Sequence, residues 1–298
     1  MEDRTMRPAV IDIHPHVIST DTARFPRAPL GGHQSSWSAE RPVSYQQLLA
    51  DMDEAGVDKA AIVQASTCYG HDNSYVIEAV QAHPDRFTAV GSVDILADDA
   101  VSQIEQWQRR GMTGLRLFTT GSTMPGQATW FTDERSYPAW EYAQATGLPV
   151  CMQMTQDGLD DLRTIIGKFP QVRLVLDHLA RPDLSGGPSF PKAAGLFDLA
   201  DNPNIYLKLT VRALEALDKA GASSADFFPL LVSRFGASRI AWGSNHPASP
   251  GGLKALLGAA RDALACLSEE ENAWIFGRTA ETLYPVLAAA EPAEVRHG

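Results

Sequence analysis

The 298-residue chain has few cysteines, no long apolar run and fewer basic than acidic residues. Its three cysteines, Cys68, Cys151 and Cys266, have no short spacing, which excludes a disulfide framework and a cysteine-type zinc site. No apolar run approaches the ~20 residues that span a bilayer. The first residues, MEDRTMRPAV, lack the apolar region of a signal peptide. We therefore expect a cytoplasmic protein without a membrane segment.

The shortage of basic residues also excludes a class of partner. The 25 Lys and Arg residues against 36 Asp and Glu residues give a formal net charge of −11. Nucleic-acid-binding proteins need a basic footprint, so this class is excluded. With 44% hydrophobic and 20% charged residues, the chain can bury a large core. The composition thus predicts a globular protein and leaves open whether it forms a homo-oligomer.

Short apolar runs alternate with longer amphipathic stretches along almost the whole chain. The β-rich runs predict eight strands at 10–17, 59–65, 87–93, 112–118, 149–154, 172–179, 205–210 and 239–244. The spacing of apolar residues predicts helices that include 44–54, 73–82, 100–109, 137–146, 159–169 and 225–235. Two further helices are predicted at 252–267 and 268–287, followed by a frayed tail at 288–298.

This alternation is typical of an α/β fold. Eight units in 298 residues average about 37 residues each, which is near the spacing of a (β/α)8 barrel. A doubly wound parallel sheet gives the same alternation, so both remain open at this point. No linker or repeat divides the chain, and we predict a single domain over 1–298. The longest irregular stretch, 19–43, is either a loop over the mouth of the barrel or a surface insertion.

Histidines mark the ends of two predicted strands. His14 and His16 end the first strand two residues apart, so both imidazoles face the same side. His178 ends the sixth strand in VLDHLARP. Barrel active sites lie at the C-terminal ends of the strands, so these three residues predict a site there. The alternative for each histidine is a purely structural role in the core.

Six motifs occur in a fixed order along the chain: DIHPH, VQASTCYGHDN, GLRLF, LVLDHLARP, YLKLT and WGSNHP. In this order they resemble the amidohydrolase superfamily, and within it the branch of 2-pyrone-4,6-dicarboxylate lactonase and sugar-lactone enzymes. The resemblance implies an α/β fold with a single (β/α)8 TIM barrel and C-terminal closing helices. It also implies that His14, His16, His178 and Asn245 are catalytic residues.

Two positions depart from the pattern of the superfamily. Gln153 ends the fifth strand, where metal-using members commonly carry a histidine, and Asn245 stands where most members have a catalytic aspartate. An amide cannot take a proton from water and is a poor metal ligand. His14, His16 and His178 remain as candidate ligands for one weakly bound Zn²⁺ or Mn²⁺. The resemblance favours chemistry that requires no metal.

Basic side chains occur at the same end of three predicted strands. They are Arg116, Arg181, Arg212 and Lys208. Guanidinium groups bind carboxylates through two parallel hydrogen bonds, so this cluster predicts an anionic substrate. The resemblance implies the same role for Arg181 and Arg212. The alternative is local pairing, such as Arg181 with Asp177 or Asp183.

Tyr69 and Gln153 complete the predicted substrate-binding set. Together these residues predict a hydrolase that opens a lactone or related ester of a carboxylate-bearing small molecule in catabolism. The histidines would polarise the carbonyl, and His178 would move the proton. The base that activates water is missing, which leaves His178 or His246 as its substitute. Two alternatives stay open: a lactone isomerase or decarboxylase that activates no water, and a non-catalytic dicarboxylate-binding protein.

Overall fold

The computed structural model describes residues 7–288. Its strands are β1 (Ile11–Asp12), β2 (Lys59–Val63), β3 (Phe87–Gly91), β4 (Met112–Phe118), β5 (Val150–Gln153), β6 (Leu174–Asp177), β7 (Ile205–Leu209) and β8 (Ile240–Trp242). Its α-helices are α1 (Ser36–Glu40), α2 (Tyr45–Ala55), α3 (Ser66–Tyr69), α4 (Ser74–Ala82), α5 (Ala100–Gln108), α6 (Tyr137–Thr146), α7 (Leu159–Lys168), α8 (Ala194–Phe197), α9 (Val211–Ala220), α10 (Ser224–Phe235), α11 (Gly252–Ala263), α12 (Glu269–Ala273) and α13 (Thr279–Leu283). The predicted tail, apart from Ala288, and the first six residues lie outside the described part.

The strands form a barrel in which each strand pairs in parallel with the next along the chain. The seam between β1 and β8 is closed by the backbone N–H of Ile13, which donates to the carbonyl of Trp242 over 3.2 Å. The buried carboxylate of Asp12 adds to this seam, because it accepts hydrogen bonds from the backbone N–H groups of His14 and Ser244. The predicted (β/α)8 barrel is therefore confirmed. No described helix is long and apolar enough to cross a membrane.

Apolar side chains fill both faces of the strands. The inside of the barrel holds Ile11, Ile13, Ala61, Val63, Val90, Cys151, Val175 and Ala241. Ala280, Leu283, Tyr284 and Leu287, in and after α13, join this inner cluster, so the C-terminal segment closes one end of the barrel. The outer faces pack against the helices. Burial on both faces explains why the strands are nearly continuous apolar runs.

Every strand except β4 ends earlier than its apolar run predicts, and three of them show a local cause. β1 ends at Asp12, whose side chain binds the backbone beyond it, and Pro15 follows without an N–H to donate. β6 ends at Asp177 because the next residues leave the extended conformation. β8 ends at Trp242, just before the backbone N–H groups that face Asp12.

The predicted helices are present within a few residues except for the last two, at 252–267 and 268–287, and several further helices, among them α9, are present. α9 is not among the predicted helices; it begins directly after Thr210, whose side chain accepts from the N–H of Arg212. The predicted helix at 252–267 ends at Ala263. The predicted helix at 268–287 is divided into α12, a wider turn at Trp274–Arg278, and α13. Gly277 in that turn lies against the carbonyl of Ala9, where a side chain has no room.

Candidate active site

A cavity of about 100 Å³ opens among the carboxyl ends of the strands. Seven of the predicted site residues line it: His16, Arg116, Gln153, His178, Arg181, Arg212 and Asn245. Side chains that the sequence did not predict complete the wall, among them Trp37, Ser66, Phe118 and Ser122. The structure thus brings together residues from β4 and β5 and from the segments after β1, β6, β7 and β8. We call this space the catalytic cavity.

The three histidines form one buried cluster. The ring of His14 lies with its centroid 4.9 Å from that of His16 and 4.9 Å from that of His178. His14 lies behind the cavity wall, while the other two line it. A Cβ atom on Gly243 would lie 2.5 Å from the Cβ of His14, so the position of this ring depends on a glycine at the seam.

His16 has a fixed tautomer. Its Nδ1 lies 2.8 Å from the carbonyl oxygen of Val63. A carbonyl only accepts, so Nδ1 carries the proton and Nε2 keeps a lone pair. Burial, followed by the charge of Arg116, lowers the pKa of His16 to about 3. His16 is therefore neutral at pH 7 and offers an acceptor nitrogen.

His178 enters the site through an unusual backbone turn. On a continued strand, Asp177 and His178 would face opposite sides. Instead, His178, Leu179, Ala180 and Arg181 all have φ between 52 and 56°, in the left-handed region. This conformation costs roughly 1–2 kcal/mol for each residue other than glycine. The turn brings both Asp177 and His178 into the histidine cluster.

The hydrogen bonds of His178 favour the opposite tautomer from that of His16. Its Nδ1 lies 2.8 Å from Oγ1 of Thr210. That oxygen already accepts from the N–H of Arg212 over 3.3 Å, so its own hydrogen is available to His178. When this hydroxyl donates to Nδ1, Nε2 of His178 carries the proton and is a donor. Burial lowers the pKa values of His14 and His178 well below the ordinary value, so both rings are neutral at pH 7.

Asp177 is the centre of the site's charge network, and sequence analysis considered it only as a partner for Arg181. Its carboxylate lies 2.8 Å from Nε of Arg116 and 2.8 Å from Nζ of Lys208. Nδ1 of His14 is 3.6 Å away, which is too long for a hydrogen bond. Burial alone would raise the pKa of Asp177, but the charges of Lys208 and Arg116 together outweigh it and hold the pKa below its usual range. The available signal was the pairing of β6 with β7, which places Asp177 opposite Lys208.

The arginines are available to an anion in different degrees. Within residues 7–288, buried Arg116 makes its only hydrogen bond through Nε, which leaves four terminal N–H donors. In the same range the exposed side chain of Arg181 makes no hydrogen bond or ion pair, and Asp183 pairs instead with Lys192. Arg212 pairs with Glu215 over 3.0 Å. Partial burial, then the charges of Arg212 and Arg116, lower the pKa of Arg181.

Lys208 and Tyr69 do not line the catalytic cavity, although the sequence predicts that they bind the substrate. Lys208 is 0% exposed, and its Nζ donates to Sγ of Cys151 over 3.4 Å in addition to pairing with Asp177. The hydroxyl of Tyr69 accepts from the N–H of Ser19 over 2.8 Å and from Nη1 of Arg27 over 2.7 Å. Tyr69 therefore anchors the long segment at 19–43.

That long segment reaches the mouth of the barrel. Trp37, in α1, lines the cavity with its ring centroid 5.2 Å from that of His16. Arg41 donates from Nε to the carbonyl of Pro247 and from Nη2 to that of Ala248, each over 3.1 Å. The segment is thus tied to the residues that follow β8. The sequence signal was the aromatic residue in HQSSW.

The end of β8 supplies an amide and no base. Asn245 has φ of 59°, a conformation that asparagine tolerates, and its Nδ2 donates to Oγ of Ser249 over 2.8 Å. His246 turns away from the cavity, and its Nε2 lies 3.1 Å from a carboxylate oxygen of Asp51. This position argues against His246 as the substitute base. No aspartate or glutamate of the described chain lines the catalytic cavity.

The residues at the cavity are a poor match to the ligand set of a divalent metal ion. In the part of the chain that the structure covers, no three His, Cys, Asp or Glu side chains are grouped as metal ligands. Both ring nitrogens of His14 lack hydrogen-bond partners, but the cations Lys208 and Arg116 contribute to lowering its pKa. An additional divalent cation would add to this positive charge, and Asn245 supplies no carboxylate to offset it. The donor set does not fit such an ion.

Comparison with known proteins gives consistent matches. The amidohydrolase family model matches residues 11–286. An L-fucono-1,5-lactonase from Burkholderia ambifaria is 27% identical over 210 residues, which cover 70% of this chain and 70% of the relative. A 4-sulfomuconolactone hydrolase from Rhizobium radiobacter is 24% identical over 245 residues, covering 80% of this chain and 75% of the relative.

One solved structure bears on the fold. An amidohydrolase from Burkholderia multivorans with bound zinc aligns with a TM-score of 0.73 and 20% identity. The alignment covers 93% of this chain and 99% of that chain. This match shows that the two proteins share the barrel fold.

Proposed function

Because the chain belongs to the amidohydrolase family, we propose that it is a lactone hydrolase whose substrate carries a carboxylate. One observation carries the proposal: guanidinium groups and two neutral imidazoles line the same cavity, and the described carboxylates are absent from its wall. The free terminal N–H groups of Arg116 and the side chain of Arg181, which has no ion pair within residues 7–288, favour an anionic ligand. The lactonases among the similar proteins support the reaction class.

The two cavity-lining histidines suit opposite roles in opening the ring. Nε2–H of His178 and the free donors of Arg116 would stabilise the oxyanion that forms on the lactone carbonyl. Nε2 of His16 would take the proton from the attacking water and deliver it to the leaving alkoxide. A base with a pKa of about 3 is weak, but a carboxylate bound at Arg116 would offset one cause of that low value.

We propose that this reaction requires no metal and that residues 19–43 form a loop over the mouth within a single domain. The charge beside His14 supports the first point, and the contacts of Trp37 and Arg41 support the second. Elemental analysis of protein purified without added ions, followed by assay after chelation, tests the metal. Loss of activity on chelation, restored by a stoichiometric divalent ion, would overturn this part of the proposal.

Hydrolysis is tested by mass spectrometry of the product formed in ¹⁸O-labelled water. A hydrolase incorporates one label for each ring opened. The alternative of an isomerase, favoured by the neutral amide of Asn245, gives product without label. Saturable binding without turnover across a panel of carboxylated lactones would instead support a binding protein.

Recognition of the carboxylate is tested by Arg181→Gln. We expect KM for a carboxylated lactone to rise about tenfold or more, because a charge-assisted hydrogen bond is lost. KM for the methyl ester of the same lactone should change little. Arg163→Gln is the matched control, since Arg163 lies in α7 and pairs with Asp160 outside the cavity. Equal effects of Arg181→Gln on acid and ester would contradict the proposal.

A further inference from the structure

A second cavity, of about 300 Å³, adjoins the catalytic cavity. Arg116 and Phe118 line both spaces, so these two side chains form the wall between them. The apolar part of its lining comes from Leu30, Val93, Leu96, Leu117, Met124 and Trp130. We call this second space the apolar annex. It is built by the long segment at 19–43, the ends of β3 and β4, and the loop after β4.

The polar side chains of the annex are largely paired with one another. Nδ1 of His71 lies 2.9 Å from Oγ of Ser92, so each satisfies the other. Burial lowers the pKa of His71, which leaves its ring neutral at pH 7. Asp94 is exposed. Apart from Arg116, which it shares with the catalytic cavity, the annex therefore offers few hydrogen-bonding groups to a ligand rich in hydroxyl groups, and much apolar contact.

The opposite side of the catalytic cavity has a different character. The groove on that side is lined by four charged side chains, those of Arg181, Arg212, Glu215 and Lys219. The catalytic cavity therefore lies between a charged side and an apolar side. A ligand with one carboxylate and one apolar group can satisfy both sides at once.

We infer that the apolar annex holds an alkyl or aryl substituent of the substrate, while the carboxylate lies among the arginines of the catalytic cavity. The inference rests on the proposed function, whose substrate class it narrows. At about 100 Å³ the catalytic cavity alone is smaller than the roughly 300–1,000 Å³ of most small-molecule sites, and the annex brings it into that range. A polyhydroxylated sugar lactone is disfavoured, because its hydroxyl groups would be buried without partners.

The experiment compares four carboxylated γ-lactones. One has an unsubstituted ring, and the others carry a propyl, a pentyl or a phenyl group on the ring. We expect kcat/KM to rise about two- to fourfold for each added methylene until the annex is filled. Leu96→Trp should reduce the ratio of kcat/KM for the pentyl and unsubstituted lactones to near one, because the indole occupies the annex. Leu96 is only partly buried, which gives the larger ring room to be accommodated.

Two further variants separate occupation of the annex from damage to the fold. Met124→Trp, on a different segment of the annex wall, should reduce the same ratio. Leu230→Trp, at a partly buried apolar position in α10 outside both cavities, should leave the ratio as in the wild type. A chain-length ratio that both annex variants leave unchanged overturns the inference.

A binding experiment separates this inference from the proposed function. Calorimetry with a series of 2-alkylsuccinates requires no turnover, and their Kd should fall with chain length in the wild type but not in Leu96→Trp. If Kd falls with chain length but no lactone is hydrolysed, the proposed function is rejected and the inference about the annex is retained. Hydrolysis of lactones with no dependence on chain length would keep the function and reject the annex.

Discussion

Asn245 lines the catalytic cavity where the resemblance to the superfamily implies a water-activating aspartate, and its amide is neutral at every physiological pH. We expect Asn245→Asp to raise the rate of lactone hydrolysis about tenfold or more, because it adds a general base at the cavity. Aspartate also tolerates the left-handed backbone at this position. The measurement is kcat at pH 7–8.

Asn245→Ala is the control for this change, since it removes the amide and its hydrogen bond to Ser249 without adding a base. It should leave kcat unchanged or reduce it. A hydrolytic rate in Asn245→Asp that is equal to or below the wild-type rate would mean that water activation is not the step limited by this residue.

At the scale of single residues, position along the chain was more predictable than hydrogen-bond partners. The strand-end rule located His14, His16 and His178, because parallel strands bring their carboxyl ends together. The roles of Lys208 and Asp177 depend on the register between β6 and β7, which the sequence alone does not indicate. The tautomer of His16 depends on a backbone carbonyl of β2, which no local pattern indicates.

Among the elements, the segment at 19–43 connects the mouth of the barrel to the residues after β8. We expect Arg41→Ala to raise KM about tenfold, because losing two hydrogen bonds to backbone carbonyls releases α1 and with it Trp37. Steady-state kinetics with the best available lactone measure this effect. Thermal unfolding of the same variant shows whether the barrel itself is unaffected.

Arg24→Ala is the matched control, because Arg24 lies in the same segment but pairs with Glu78 at the surface. Exposed ion pairs contribute little, so KM should stay within about twofold of the wild type. Equal changes in KM for the two variants would show that the tie at Arg41 has no special part in holding Trp37.

The boundaries of helices and strands could be predicted where the apolar pattern determines them. They could not be predicted where the backbone conformation or a side-chain hydrogen bond ends an element inside an apolar run. α6 begins and ends at the predicted residues because its apolar spacing and the glycine after it act together. β6 is shorter than its apolar run because four left-handed residues follow Asp177. Those residues include leucine and alanine, which rarely adopt the left-handed conformation, so the sequence gives no indication of it.

For the molecule as a whole, the buried histidines predict sensitivity to acid. Unfolded imidazoles take up protons below about pH 6.5, whereas His16 in the fold does so near its pKa of about 3, and His14 and His178 are also held well below 6.5. Between pH 6.5 and the lower pKa values in the fold, the unfolded state therefore binds more protons than the folded state. The free energy of unfolding is therefore not reduced by these histidines above pH 6.5, and it decreases as the pH falls below that value.

Each such histidine should reduce the free energy of unfolding by about 1.4 kcal/mol per pH unit below 6.5. Urea unfolding at pH 7, 6 and 5 measures the slope. His16→Gln should lower the slope by one proton, whatever its effect on stability at pH 7. An unchanged slope in His16→Gln would contradict the assignment of a low pKa.

The buried group around Asp177 has a consequence for how the fold and its ligand depend on each other. One carboxylate faces two cations, Arg116 and Lys208, while the three neighbouring imidazoles are neutral. Counted over these groups, the buried cluster carries one net positive charge. The carboxylate of the proposed substrate, bound at Arg116, would bring that count to zero. The same buried charges would then affect both the stability of the barrel and the affinity for the ligand.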